Sequence, residues 1–293
     1  MENSQKRIRF SIIIPTLKRQ EILKEALALL NKEIDKTRDE IIIVEGKNGP
    51  SKARNEAIKK AKGKYLLFLN DDSFVEKGFI KSHIDFHNLH KSESAGVVGL
   101  TENHPETVKI RAMKWLVGQS GLHFNYRFKY TDKIRQIPWY YLWTCNFSMK
   151  RSFLIKNELW FCEDFPTAAW EDIEFAFRAK QSGLKLYFDS QAKVWHFHQL
   201  KFIDIKNRFI SHGRGLYYLK SKLPVNFLPF LVKNNIGGII MSVMEWRIMN
   251  RIRNILEWIV KTTDNYPNVI MQWLVVKWKS DGYTFESKKM SGL

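Results

Sequence analysis

The sequence predicts an α/β protein in which helices cover a mostly parallel central sheet. Strand and helix patterns alternate from residue 8 to residue 100, and the strand segments are continuous apolar runs. A strand exposed on one face alternates apolar and polar residues, whereas the strands of a parallel sheet are buried on both faces. A third observation, the helical pattern after residue 222, predicts a helical C-terminal extension.

The first half of the chain contains the clearest elements. Residues 8–14 predict a strand that Pro15 ends, and apolar residues at helical spacing predict a helix in residues 20–34. Five further elements follow: a buried strand (40–45), a helix ended by Gly63 (51–63), a strand (64–70), a helix (76–90) and a strand (95–100). Ligands of such sheets bind beyond the carboxyl ends of the strands, so the residues that follow each strand are candidates for a binding site.

Later elements are a predicted helix in residues 170–183 and two short strands in residues 184–189 and 192–198. An amphipathic helix is predicted from 236 to 261, where apolar residues that include Met241 and Met244 recur at steps of three and four. Its apolar side either packs on the rest of the protein or lies at a membrane interface.

The formal net charge is +18. Residues 201–293 contain 15 Lys and Arg against 6 Asp and Glu, a net +9, so half of the excess lies there. Such an excess fits nucleic acid, an anionic membrane surface or phosphorylated substrates. We expect no nucleic-acid partner, because the chain contains no recognisable nucleic-acid-binding module.

Cysteine usage and hydropathy predict a cytoplasmic protein. The 2 cysteines, Cys145 and Cys162, do not have the spacing of metal ligands. The apolar run in residues 10–14 is too short for a secretory signal, and no uncharged apolar run reaches the roughly 18 residues of a spanning helix. With the basic C-terminal region, we expect attachment to be peripheral, on the cytoplasmic face of a membrane.

Two adjacent acids, Asp71 and Asp72, follow the third strand in the stretch "YLLFLNDDS". Like charges at the end of a buried strand repel each other, and a divalent cation such as Mg²⁺ or Mn²⁺ would remove that repulsion while bridging a diphosphate to the protein. The alternative is a turn or helix cap, because Asn, Asp and Ser all favour such places.

Two later motifs carry further candidates. In "WEDIEFAFRAKQSG", Glu171 and Asp172 lie at the start of a helix, where the helix dipole alone favours acids. In "VWHFH", His196 and His198 share one face of a strand, either as structural residues or as metal or phosphate ligands.

Taken in order, these motifs resemble glycosyltransferase family 2. The resemblance spans roughly residues 8–200, through "FSIIIPTLKR", "EIIIVE", "SKARNEAIKKAKGKYLLFLNDDS", "TCNFSMKRSFL", "WEDIEFAFRAKQSGLKLYFD" and "VWHFH". It implies a GT-A fold with a Rossmann-like sheet. The catalytic domain would be residues 1–222, with a nucleotide-sugar-binding half (1–100) and an acceptor and catalytic half (101–222). Residues 223–293 would form a basic, helical region that associates with membrane.

The resemblance also implies roles for individual residues. Asp72 and His196 would bind Mn²⁺ or Mg²⁺, with His198 as a substitute for His196, and Asp172 would be the general base, next to Glu171. The implied nucleotide-sugar contacts are Pro15, Thr16, Glu45, Arg54, Asn70 and Asp71. Trp139, Trp143 and Asn146 are guesses for acceptor contacts, made from their location.

The implied activity is inverting, metal-dependent transfer of a hexose from a nucleotide-diphosphate donor to a hydroxyl of a carbohydrate or lipid-linked glycan acceptor. The alternative is a catalytically inactive GT-A-fold protein that binds nucleotides or glycans. Two departures from the family pattern favour that alternative: Asn70 where an acid is common, and a short, basic loop after Glu45, where Asp is usual.

Overall fold

The computed structural model describes residues 8–119, 134–224, 246–263 and 266–292. The chain divides into two compact units. The first comprises residues 1–104, 126–163 and 175–198, and the second comprises residues 105–125, 164–174 and 199–293. Each unit therefore draws on three separate segments of the sequence. The domain boundary after residue 222 stays a prediction.

The first unit contains an 8-stranded sheet. Its strands are β1 (Phe10–Thr16), β2 (Asp39–Glu45), β3 (Tyr65–Leu69), β4 (Ser73–Val75), β5 (Ala95–Asn103), β6 (Arg135–Gln136), β7 (Asn146–Lys150) and β8 (Lys185–His196). The order is β2-β1-β3-β7-β5-β8-β4, with β6 paired to β8. Strands β1, β2, β3, β5 and β8 share one direction, and β4, β6 and β7 run opposite to them. The predicted α/β fold with a mostly parallel sheet is confirmed.

Three strands differ from their predictions. β1 continues through Pro15 because it pairs with β3 only from Phe10 to Ile13, so Pro15 pairs on one side, as proline does at sheet edges. β2 is an edge strand rather than a buried one, and Ile43 is 44% exposed. The two short strands predicted after residue 183 form the single strand β8.

The helices are α1 (Gln20–Leu30), α2 (Pro50–Lys60), α3 (Phe79–Leu89), α4 (Arg111–Lys114), α5 (Arg151–Lys156), α6 (Glu171–Gln181), α7 (Phe202–Lys222), α8 (Trp246–Thr262) and α9 (Asn268–Ser291). In the first unit, α1 and α3 bury Leu23, Leu30 and Phe79 against apolar side chains of β1 and β3. Aromatic side chains pack together in another part of the first unit. The rings of Phe68 and Phe147 stack there, with their centroids 6.0 Å apart.

The core of the second unit is helical. The indole of Trp278 on α9 is fully buried, among apolar residues of α4, α7 and α8. α7 and α9 approach closely at two glycines: a Cβ on Gly213 would lie 1.9 Å from the carbonyl oxygen of Lys279, and one on Gly282 would lie 2.0 Å from that of Ile210. Side chains at either glycine would force the helices apart.

The predicted helical C-terminal region is confirmed by α8 and α9. α8 corresponds to the end of the amphipathic helix predicted from 236 to 261, whereas Met241 and Met244 lie outside the described residues. Among the helices that the structure describes, none is long and apolar enough to cross a membrane.

Candidate active site

Asp71 and Asp72 lie in a tight turn between β3 and β4, at the carboxyl end of β3. The turn is closed by a hydrogen bond of 3.3 Å from Ser73 N to the carbonyl oxygen of Asn70. Both acids are buried, with exposed fractions of 4% and 1%. The backbone at Asp71 and Asp72 is therefore a turn, as the alternative interpretation predicted. Acids in an ordinary surface turn are exposed to solvent, whereas both of these carboxylates are buried.

Two histidines of the first unit face Asp72. His196 ends β8 and pairs in register with Ser73, which brings its Nε2 to 3.3 Å from Asp72 Oδ1. His198 lies two residues further on, with Nδ1 3.5 Å from Asp72 Oδ2. The candidate ligand atoms of the three residues all lie within 4.8 Å of one another. We call this group the Asp72 cluster.

Arg19 is a site residue that the sequence analysis missed. It comes from the loop between β1 and α1, where Lys18 has a φ of 56°, a left-handed conformation that side chains rarely adopt. Arg19 Nη1 donates a hydrogen bond to Asp72 Oδ2 and lies 3.4 Å from Asp71 Oδ1. Its guanidinium therefore contacts both acids. The signal in the sequence was a cation just beyond the first strand, within "FSIIIPTLKR".

The two aspartates have opposite pKa shifts. Burial raises the pKa of Asp71, and the negative charge of Asp72 adds to that effect, against the lowering influence of Arg19 and of a hydrogen bond from Thr16. Burial also acts to raise the pKa of Asp72, but His196, Arg19 and His198 together outweigh it and lower that pKa. The anionic form of Asp72 is thus the one that its surroundings stabilise.

The Asp72 cluster fits a divalent cation. Asp72 Oδ1 is buried, and no described residue donates a hydrogen bond to it. A buried carboxylate oxygen in that state is costly unless a cation or proton satisfies it. Carboxylate oxygen and imidazole nitrogen are both ligands of first-row divalent metals.

The other residues expected to contact the nucleotide sugar have mixed placements. Thr16 Oγ1 donates a hydrogen bond of 2.8 Å to Asp71 Oδ2, so it holds that carboxylate, and Pro15 precedes it at the end of β1. Glu45 is exposed and forms an ion pair of 3.0 Å with Lys47. Arg54 is buried, with its guanidinium 5.2 Å from the ring centroid of Phe161.

The expected acceptor residues also differ from one another. Trp139 packs edge-on against Phe177, and Trp143 against Tyr141, and both indoles are half-buried. Asn146 is fully buried, and its amide donates to the carbonyl of Ala192 at 2.8 Å. That placement does not support an acceptor contact for Asn146, because its side chain belongs to the sheet interior.

Glu171 and Asp172 belong to the second unit, where they begin α6. Glu171 is buried and Asp172 is half-buried. The preceding residue, Trp170, has a φ of 74°, which is rare for a bulky side chain. Its indole donates a hydrogen bond of 2.9 Å to the carbonyl of His212 on α7. Trp170 thus anchors the start of α6, and strained backbone of this kind is common at functional sites.

Comparison with solved structures identifies the class of fold. The chain is similar to a crystal structure of Staphylococcus aureus TarS in complex with UDP-GlcNAc, with a TM-score of 0.54 and 16% identity, over 97% of this chain and 92% of that one. A TarS structure in complex with UDP has a TM-score of 0.52 and 16% identity, over 98% of this chain and 92% of that one. A longer TarS structure gives 0.52 and 15%, over 96% of this chain and 55% of that one. The fold is the GT-A fold of glycosyltransferases.

The sequence comparison matches part of the chain to a known family. Residues 43–157 match the model of glycosyl transferase family 2, so the resemblance to that family is confirmed. A curated relative, the poly(ribitol-phosphate) beta-N-acetylglucosaminyltransferase TarS of S. aureus strain Mu50, is 25% identical over an alignment that covers 29% of this chain. That alignment spans about a fifth of the relative, 20% of its length.

Proposed function

We propose that the protein is a glycosyltransferase that takes a sugar from a nucleotide-diphosphate donor, with the diphosphate held at the Asp72 cluster. The observation that carries this proposal is the convergence of Asp72, His196 and His198 at the carboxyl end of β3. Ligands of parallel sheets bind at that edge, and the family match agrees with the activity.

In this proposal Asp72 and His196 hold a divalent cation, Mn²⁺ or Mg²⁺, and His198 completes its protein ligands. When bound, the cation neutralises negative charge that develops on the departing nucleoside diphosphate. Asp71, oriented by Thr16 Oγ1 at 2.8 Å, contacts the ribose or the first phosphate. Arg19 contributes a second positive charge at the same edge, since it already contacts both aspartates.

The donor we propose is a UDP-sugar. The support is the likeness of this chain to TarS structures that contain UDP and UDP-GlcNAc. The acceptor is a carbohydrate or a lipid-linked glycan with a free hydroxyl. The transfer is inverting, with Asp172 as the general base that removes the hydroxyl proton while Glu171 supports the same helix start. The second candidate, an inactive nucleotide- or glycan-binding protein, is favoured only by Asn70 and the short loop after Glu45.

A donor panel with one variant tests the activity. UDP, GDP and dTDP are compared by thermal shift with and without Mn²⁺, and donor hydrolysis or transfer is measured for the wild type and Asp172→Asn. We expect a Mn²⁺-dependent shift with UDP, and a loss of transfer in Asp172→Asn of about 10²–10⁴-fold with UDP binding retained. Full transfer by Asp172→Asn would reject the base, and no shift with any nucleotide would reject the donor site.

We also propose that the protein is cytoplasmic and attaches peripherally to an anionic membrane through α8. The support is an exposed apolar stripe, Ile252, Ile255 and Trp258, with exposed fractions of 39%, 59% and 65%. Exposed Arg251 and Lys261 flank the stripe, which suits an interfacial helix over anionic lipid. Flotation with vesicles that contain phosphatidylglycerol tests this: Ile255→Ser/Trp258→Ser should float less, and equal flotation would reject the attachment.

A further inference from the structure

The first unit contains a cavity of about 1050 Å³ at the amino ends of β1 and β3. Among its lining residues, Ile8 and Arg9 precede β1, Lys64 precedes β3, Tyr65 is the first residue of β3, and Arg151 is the first residue of α5. Asp71 and Asp72 follow the carboxyl end of β3, so the cavity lies at the opposite edge of the same sheet. It is therefore separate from the Asp72 cluster.

The lining of this cavity is strongly basic. Its cationic side chains are Arg9, Arg38, Lys62, Lys64 and Arg151, against one carboxylate, Glu40. Asn88 and Ser152 add polar groups, and Tyr65 and Ile84 add apolar surface. This combination suits a ligand that has both an anionic group and an organic part.

The acids nearby do not neutralise most of these cations. Asp39 is engaged by Arg9, whose Nε donates to Asp39 Oδ1 at 2.9 Å. Glu40 Oε1 accepts hydrogen bonds from Lys62 N at 2.7 Å and from Ser11 Oγ. Within the described ranges, no carboxylate forms an ion pair with the side chains of the other four cations: Arg38, Lys62, Lys64 and Arg151.

Backbone contacts hold the cations in place around the cavity. Arg151 N donates to the carbonyl of Lys64 at 3.0 Å, and Lys64 N donates to that of Ile8 at 3.1 Å. Gly63 permits this approach, because a Cβ there would lie 2.4 Å from Ser11 N. Arg151 Nε is buried, and none of the described residues accepts a hydrogen bond from it. Arg151 is also a lining residue of the cavity, so its guanidinium adds positive charge there.

We propose that this cavity is a second binding site, for a phosphate ester. Like charges gathered around one cavity repel each other, and a bound anion lowers the free energy of the arrangement. Guanidinium and ammonium groups both recognise phosphate oxygens. Tyr65 and Ile84 offer apolar surface to an organic substituent of the ester. A free ester and the headgroup of an anionic phospholipid share this chemistry.

Three proteins test the site: the wild type, the cavity variant Arg38→Gln/Lys62→Gln/Lys64→Gln, and the control variant Lys24→Gln/Lys32→Gln/Lys36→Gln. All six substituted side chains are exposed, and each triple variant removes three charges from the first unit. Calorimetry measures binding of glycerol 3-phosphate, and flotation measures binding to vesicles of phosphatidylcholine with and without phosphatidylglycerol. Arg151→Gln is the second test variant, and circular dichroism checks the fold of each.

We expect the wild type and the control variant to bind at least one of the two probes with similar strength. The cavity variant should bind at least about tenfold more weakly, because charge-assisted hydrogen bonds of this kind each contribute about that factor. Arg151→Gln should weaken the binding of the same probe. Binding of the free ester assigns the site to small phosphate esters. Binding of the vesicles alone assigns it to a lipid headgroup when the cavity variant weakens that binding, because vesicle binding through α8 would be the same in the cavity variant. No binding of either probe, or equal binding by the cavity and control variants, would overturn the proposal.

Discussion

The two ends of strand β3 in the first unit differ in how their charged side chains are paired. At the carboxyl end of β3, two buried aspartates are balanced from within the protein, by Arg19 and by the imidazoles of His196 and His198. At the amino end, cations surround a cavity in which the one carboxylate, Glu40, is already engaged. At the first end, the acids already have cationic partners, although Asp72 Oδ1 accepts no hydrogen bond from a described residue. At the second end, four of the five cations form no ion pair with a carboxylate of the described residues, so a bound anion would reduce their mutual repulsion.

Two buried imidazoles that pack against the sheet stay neutral. His83 and His87 of α3 are buried, and both hydrogen-bond to Ser148 of β7 at 2.9 Å. Burial lowers the pKa of His83 to about 4. Burial, with the neighbouring His83 and Lys150, lowers the pKa of His87 to about 2. These histidines contrast with His196 and His198, which face a carboxylate.

The largest expected effect is acid destabilisation through these two histidines. Near pH 6.5 the two histidines bind protons in the unfolded state but not in the folded state. The free energy of unfolding is therefore highest above pH 6.5 and falls as the pH drops toward 4. The shift of His83 alone corresponds to about 3 kcal/mol. Urea unfolding at several pH values measures this, with His83→Gln as the comparison. A profile for His83→Gln as steep as that of the wild type would contradict the assignment.

The second prediction separates the two histidines of the Asp72 cluster. His196 is 4% exposed and lies nearer to Asp72, whereas the His198 side chain is 30% exposed. We expect His196→Ala to lower the affinity for Mn²⁺ by about 10–100-fold, and His198→Ala to lower it less. Calorimetric titration with Mn²⁺ measures both, and His90→Ala removes a half-buried imidazole outside the cluster as a control. A larger loss in His198→Ala would reverse the assignment.

The smallest expected effect concerns the internal balance of charge at Arg19. In Arg19→Gln, Asp71 and Asp72 repel each other without a neighbouring guanidinium, so the metal-free variant should be less stable than the metal-free wild type. Adding Mn²⁺ should therefore stabilise the variant more than it stabilises the wild type. We expect the Mn²⁺-induced rise in Tm to exceed that of the wild type by a few degrees, at roughly 2–4 °C per kcal/mol. Differential scanning fluorimetry measures the rise, with Lys24→Gln as a surface control. Equal rises in the wild type and Arg19→Gln would show that Arg19 does not balance the pair.

The sequence was sufficient to predict the elements whose signal is local. Continuous apolar runs mark β1 and β3, and the two acids lie directly beyond the carboxyl end of β3, as predicted. β7 was not predicted, although all its residues are buried, because "NFSMK" carries polar side chains into the interior. Their burial depends on partners from α3 that are distant in sequence, such as His83.

The contacts that the sequence could not supply are those between distant loops. Arg19 reaches Asp72 across 53 positions. Its place just beyond β1 makes it a candidate, but no local pattern indicates which residue it contacts. The basic cavity likewise joins the starts of β1, β3 and α5, which come together only when β7 inserts between β3 and β5. Charge composition predicted an anionic partner but not a location for it.

The central claim is that the Asp72 cluster holds a divalent cation that binds the donor diphosphate. Calorimetric titration of UDP into the full chain tests it, with Mn²⁺ or with EDTA, for the wild type, Asp72→Asn and the exposed control Asp85→Asn. We predict saturable, Mn²⁺-dependent binding by the wild type and Asp85→Asn, and binding at least about 100-fold weaker by Asp72→Asn. UDP binding of equal strength in EDTA, or in Asp72→Asn with Mn²⁺, would contradict the claim.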